Sequence, residues 1–153
     1  MRPGFIPLVA CAVLVSAALT GAAKAGDTPS TLTGAKSVDA AAVAKAQAAG
    51  AVVVDTRVAS EYADGHIKGA ISVPYREKSE KSASFDSAQD EFNLAKLPAD
   101  KAAAVVIYCN GPECWKSFKA SSVSIKAGYT NILWYREGFP DWKSKNMPIG
   151  TAE

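Results

Sequence analysis

Cys109 is the side chain in this sequence best suited to act as a nucleophile. It ends an apolar run, residues 102–108, and is followed by Asn110-Gly111-Pro112, which cannot continue a strand and must turn the chain. A segment opening at Ser117, with Phe118, Ser122, Ile125 and Lys126 at helical spacing, closes that turn. The stretch thus lies between a strand end and a helix amino terminus. There, backbone N–H groups and the positive end of the helix dipole stabilise a thiolate or a bound anion. Asn110, Gly111, Pro112, Glu113, Cys114, Trp115, Lys116 and Ser117 form the candidate substrate-binding loop around Cys109. The competing reading is a small buried apolar cysteine with no chemistry. Cys114 adds a second chemistry, because two cysteines five positions apart in an oxidising compartment invite a disulfide.

The compartment follows from the amino terminus. In residues 1–25 a single Arg2 precedes an uncharged apolar run, residues 5–23, and Ala23-Lys24-Ala25 fits the small-x-small rule for signal peptidase. This reads as a cleavable signal peptide, with a mature chain beginning near Gly26 in the periplasm or outside the cell. Gly21 and its small neighbours shorten the apolar core below a good membrane span, and Leu8-Val9-Ala10-Cys11 lies too early in the run for a lipidation box. No later segment is apolar enough to cross a bilayer. Loss of Arg2 and Lys24 leaves equal numbers of basic and acidic residues, which gives no basis for nucleic-acid binding.

Of the 153 residues, what remains has room for one ordinary domain. Residues 26–37, rich in Thr, Ser, Gly and Asp, read as a flexible leader, and residues 38–150 as the domain. Asp39 caps an alanine-rich helix, residues 40–48, that Gly50 ends. Short apolar strands are expected at residues 51–54, 70–73, 102–108 and 131–134. Residues 60–62 form a helical turn, residues 76–91 a polar surface excursion touching the core through Phe85, Phe92 and Leu94, and helices are expected over 117–127 and 139–145. Strands alternating with helices imply an α/β fold, a central parallel sheet with helices on both faces. Ligands of such sheets sit beyond the strands' carboxyl ends, where Asp55 and Cys109 both fall.

Residues 52–75, VVVDTRVASEYADGHIKGAISVPY, resemble the first motif of the rhodanese family of sulfurtransferases, with Asp55, Arg57, Glu61, Gly65, His66, Ile67, Gly69, Ala70 and Pro74 in place. Residues 137–148, with Gly138, Trp142 and Pro148, resemble the second, and Cys109 stands where the family carries its catalytic cysteine. The resemblance implies a rhodanese-like fold and a mechanism without a cofactor. Cys109 takes a sulfane sulfur from a small anionic donor such as thiosulfate, becomes a persulfide, and passes the sulfur to a thiol or cyanide acceptor. The family's loop has four residues between its cysteine and a basic residue, usually arginine, whereas six separate Cys109 from Lys116. Longer loops in relatives suit phosphatases and arsenate reductases. Lys116 lacks arginine's planar fork, however, and Glu113 would repel a phosphate. The loop CxxxxCW with WYREGFPDW downstream is also similar to exported rhodanese-like proteins with a Cys-Trp motif associated with quinoprotein (PQQ-dependent) alcohol oxidation. That second likeness implies a different class of function, a thiol-disulfide redox or accessory module using Cys109 and Cys114 and docking a periplasmic oxidoreductase.

The supporting residues have plainer uses. Asp55 and Arg57 either bind substrate or knit a strand end to the neighbouring loop, the second being the expectation. His66 holds the turn beside the sheet rather than acting as a base. One histidine and two cysteines make no metal set, so no metal site is expected. Trp134 and Trp142 are expected in the core and Trp115 at the mouth of the site, with Lys116 and Lys119 drawing an anionic donor toward Cys109.

Overall fold

The computed structural model describes residues 26–152, and within it the strand that ends at Cys109 is the middle of the sheet. Seven strands, β1 (Ala35–Ser37), β2 (Val52–Asp55), β3 (His66–Ile67), β4 (Ile71–Ser72), β5 (Val105–Tyr108), β6 (Ile132–Tyr135) and β7 (Ile149–Gly150), are interspersed with four α-helices among the described residues. The helices are α1 (Ala40–Ala48), α2 (Ala59–Asp64), α3 (Trp115–Lys126) and α4 (Gly138–Ser144). Five strands form one sheet in the order β1-β6-β5-β2-β4, every pairing parallel, and β3 and β7 form an antiparallel pair beside it.

All four residues of β5 are 0% exposed, which is why the sequence there is an unbroken apolar run rather than an alternation. The period-2 geometry still sorts them. Val53, Val106, Tyr108 and Tyr135 join Ala40 and Val43 of α1 and Phe139 and Trp142 of α4 in one cluster. Val54, Val105, Ile107 and Ile132 join Ala120 of α3 in the other. Helices therefore cover both faces. Each fully buried Val or Ile contributes about 1.5–3 kcal/mol, so the strands that carry the site sit in the most strongly held part of the molecule.

Because the five strands are parallel, the carboxyl ends of β2, β5 and β6 share one edge. Asp55 lies at that edge and Cys109 directly follows it. The expected α1 and its Asp39 cap are in place, the Asp39 carboxylate accepting from Ala42 N. Two expectations need correction. Residues 26–37 are not a structureless leader: residues 35–37 form β1, register-matched to β6, and Thr28 is fully buried. Their Thr-Ser-Gly composition hid this because an edge strand gains its stability from pairing, not from its own side chains. The helix after Cys109 starts at Trp115, two residues early, with Cys114 as its amino-terminal cap. Among the described residues no helix is long and apolar enough to cross a membrane, and the signal-peptide reading of residues 1–25 lies outside the described residues.

The 76–91 excursion is closed by a backbone bridge between Arg76 and Glu91 and pinned by Asp90. Burial pushes the Asp90 carboxyl up, but hydrogen bonds from the Ser79 hydroxyl and amide, Lys78 N and the Tyr75 hydroxyl outweigh it and bring it down to about 2. A carboxylate with a depressed folded-state pKa stabilises the protein above its ordinary pKa and loses that contribution as pH falls through the folded value. Thermal stability of the wild type should therefore fall steeply between about pH 4 and pH 2, and Asp90→Asn should flatten that limb. Melting curves across this range are the check, and an unchanged acid limb in the variant would count against Asp90 as the pin.

Candidate functional site

Cys109 leaves β5 at 1% exposure with its backbone clamped by the start of α4. Its carbonyl accepts from Phe139 N at 2.9 Å, and Gly138 packs against the same carbonyl. At Gly138, φ is +67°, and a Cβ there would collide with the Cys109 carbonyl and with Gly111 N. Two demands thus fall on one residue, a left-handed backbone and no side chain. Gly138→Ala should cost about 2 kcal/mol or more, and it should also slow thiol chemistry at Cys109 by displacing the loop. Urea unfolding together with thiol alkylation rates checks both, and a variant matching wild type in each would contradict the clamp.

Gly111, at φ +118°, turns the loop, and Cys114 N donates to Gly111 O at 3.0 Å to close it. The sulfurs of Cys109 and Cys114 are bonded, with Cα atoms 6.2 Å apart, inside the range an unconstrained disulfide spans. Cys114 is the more exposed of the pair. Beyond it, the 12-residue α3 presents its amino terminus, whose first N–H groups have no partner within the helix, to the bonded pair.

The loop is held on two sides by residues distant in sequence. Asn110 Nδ2 donates to Glu61 Oε1 at 2.6 Å, tying it to α2. On the other side, Thr28 N and Thr28 Oγ1 both donate to Pro112 O at 2.8 Å, and Trp115 Nε1 donates to Gly26 O. Arg136, just past β6, braces this strap through Thr28 Oγ1, Thr28 O and Pro29 O. No local pattern marks Thr28 or Arg136, whose partnership spans 108 positions. Thr28→Val keeps the shape but removes a hydroxyl that donates to Pro112 and accepts from Arg136, and should cost about 1–2 kcal/mol. It should also speed reduction of the bonded cysteines. Reduction timed by alkylation is the check, and wild-type rates would mean the strap does not restrain the loop.

The expected site residues divide. Asp55 and Arg57 form the knitting pair: Arg57 donates to Asp55 through N, Nε and Nη2, the last at 2.7 Å, and Nη2 also donates to Gly65 O. Burial pulls the Arg57 guanidinium down, but the hydrogen bond and charge of Asp55 outweigh it and leave its pKa above the ordinary value. The Tyr108 hydroxyl donates to Asp55 Oδ2 at 2.6 Å, and burial beside that carboxylate pushes the phenol far up, so it stays protonated. His66 stacks on Tyr62 with ring centroids 3.8 Å apart and pairs with Tyr62 O.

Lys116 is the second residue of α3 and lines a groove of about 330 Å³ with Val58, Pro74 and Glu77. Ser117 is buried, its hydroxyl accepting from Trp134 Nε1. Two expectations fail. Lys119 draws no donor toward Cys109: it is 0% exposed, its ammonium on Glu77, the Ser79 hydroxyl and Ser79 O. Trp115 does not line the mouth, since it is 6% exposed and packs edge-on against Phe118. Helical periodicity explains both, because a start at Trp115 turns residues 115, 118 and 119 inward together.

Beside the loop opens a cavity of about 560 Å³ lined by Arg57, Glu61, Asn110, Phe139, Lys143 and Ile149, among others. Both motif regions and the residue following Cys109 meet there. Lys143 and Phe139 had no sequence signal beyond lying in the second motif.

The rhodanese-like domain family matches residues 39–145 of the chain. The fold is similar to that of the BH2092 protein from Bacillus halodurans, at TM-score 0.57 and 23% identity over 76% of this chain and 77% of that one. It is similar also to part of a thiosulfate sulfurtransferase from Pseudomonas aeruginosa, at TM-score 0.57 and 24% identity, covering 78% of this chain and 21% of that one. In sequence, 97 residues are 29% identical to an HTH-type transcriptional regulator, Rv0324, of Mycobacterium tuberculosis, covering 63% of this chain. The chain spans 36% of the length of that curated relative.

Proposed function

The chain belongs to the rhodanese-like domain family, and on that premise we propose that it is a sulfurtransferase in which Cys109 accepts a sulfane sulfur as a persulfide and hands it to a thiophilic acceptor. The observation that carries the reading is the seat of Cys109. It stands at the carboxyl end of the central strand, its backbone fixed by Gly138 and Phe139 and the amino terminus of α3 facing it. A thiolate there attacks the outer sulfur of thiosulfate, sulfite leaves, and the helix end and loop amides stabilise the anionic sulfur that remains. The cavity beside Asn110 supplies the approach for donor and acceptor. On the Ala23-Lys24-Ala25 cleavage pattern we place the protein outside the cytoplasm.

A disulfide leaves no thiolate for this reaction, so reduction of the bonded pair precedes transfer. The test is thiocyanate formation from thiosulfate and excess cyanide by the protein held reduced throughout. Turnover after reduction and none before it is the expected result, and none in either state would overturn the reading. The bonded pair also favours a second reading, a periplasmic thiol-disulfide module whose oxidoreductase partner is suggested by the Cys114-Trp115 likeness alone. Redox cycling without any thiocyanate would select it.

A further inference from the structure

Sulfur transfer of the proposed kind needs one cysteine, yet the fold holds a second within bonding distance of the first and leaves it the more exposed. Resting on the sulfurtransferase reading, we infer that Cys114 is the resolving nucleophile of the site. It turns the Cys109 persulfide into hydrosulfide plus the Cys109–Cys114 disulfide, and the second substrate is therefore a dithiol reductant.

The steps balance. The Cys109 thiolate attacks the outer sulfur of thiosulfate, breaking its S–S bond and releasing sulfite, and the persulfide takes a proton from solvent. The Cys114 thiolate then attacks Cys109 Sγ, the Cys109–Cys114 bond forms, and the terminal sulfur leaves as hydrosulfide with the electron pair of the broken bond. A dithiol reductant attacks the disulfide, is itself oxidised to a disulfide, and restores both thiols. Overall, thiosulfate and a dithiol give sulfite, hydrosulfide and the oxidised dithiol.

The geometry assigns the direction of each attack. Cys109 is 1% exposed and its carbonyl is clamped by α4, so an external thiol meets Cys114 first and Cys109 is the leaving thiolate. Cys114 caps α3 in an extended conformation with no side-chain hydrogen bond to the helix, so its sulfur is not engaged in capping. Asn110 and Pro112 are tied to Glu61 and Thr28, which holds the loop in the arch that keeps the two Cα atoms at 6.2 Å.

The test is a single turnover. Reduced, desalted wild type and Cys114→Ser are each given one equivalent of thiosulfate, and sulfite, hydrosulfide and chain mass are measured. Wild type should release both products and end two hydrogens lighter than the reduced chain. Cys114→Ser should release sulfite alone and keep the sulfur, and its sulfite release also shows that the variant is folded. Wild type that retains the sulfur as Cys114→Ser does, or Cys114→Ser that releases hydrosulfide as fast as wild type, would overturn the resolving role while leaving the sulfurtransferase reading intact. Absence of sulfite from both proteins would overturn that reading, and this inference with it.

Discussion

Cys109→Ser is expected to lower thiosulfate-to-cyanide transfer by roughly three orders of magnitude or more, because a hydroxyl at this position cannot act as a soft anionic nucleophile. Nothing else in the loop replaces it. Cys114 lies on the more exposed side of the loop without the Gly138–Phe139 clamp that seats Cys109, and Lys116 lines a separate groove with Glu77. The substitution also removes the disulfide, which closes a loop of six residues and contributes about 2 kcal/mol in the chain-entropy picture. Cys114→Ser is the internal control, since it forfeits the same bridge. The two variants should lose similar stability in urea, and only Cys114→Ser should retain transfer to cyanide after reduction. Wild-type transfer by Cys109→Ser, or equal loss in both variants, would move the chemistry away from Cys109.

Asp55→Ala should be the most destabilising single change in the site, by about 3–5 kcal/mol, because it strands a buried cation. Asp55 is 0% exposed and accepts from Arg57 N, Nε and Nη2 and from the Tyr108 hydroxyl. Removal leaves the guanidinium, 4% exposed, with only Gly65 O and the faces of Phe139 and Tyr108. The penalty is that of an unpaired buried charge, so it should shrink when the charge goes too. Asp55→Ala with Arg57→Met should be more stable than Asp55→Ala alone. Urea midpoints of the wild type and these two variants decide this. A double variant no better than the single would mean that Tyr108 and packing, not the charge pair, set the cost.

The parts of this site legible in the sequence were those encoded locally. An apolar run stopped by Asn-Gly-Pro marked both the end of β5 and the position of Cys109, and the Asp55-Thr56-Arg57 break marked the end of β2. The alternation of strands and helices carried the parallel sheet and, with it, the edge at which the site lies. What was hidden depends on partners far along the chain. β1 exists because β6 offers an edge, and Thr28 is buried because Arg136 and Pro112 meet it, so the composition of residues 26–37 pointed the wrong way. Starting α3 at Ser117 instead of Trp115 left Trp115 in the loop rather than on the buried helix face beside Phe118, and Lys119 is buried because Glu77 and Ser79, far along the chain, receive its ammonium. The bond between Cys109 and Cys114 was an open geometric question in the sequence, and the arch of the loop answers it.

The most direct measurement of the central claim is peptide mass mapping of the reduced Cys114→Ser protein after exposure to thiosulfate, because in that variant the sulfur has no internal route off the chain. The account predicts one added sulfur atom per chain, located on the peptide bearing Cys109 and removed by cyanide. An unchanged chain mass, or an added sulfur on any other residue, would contradict it.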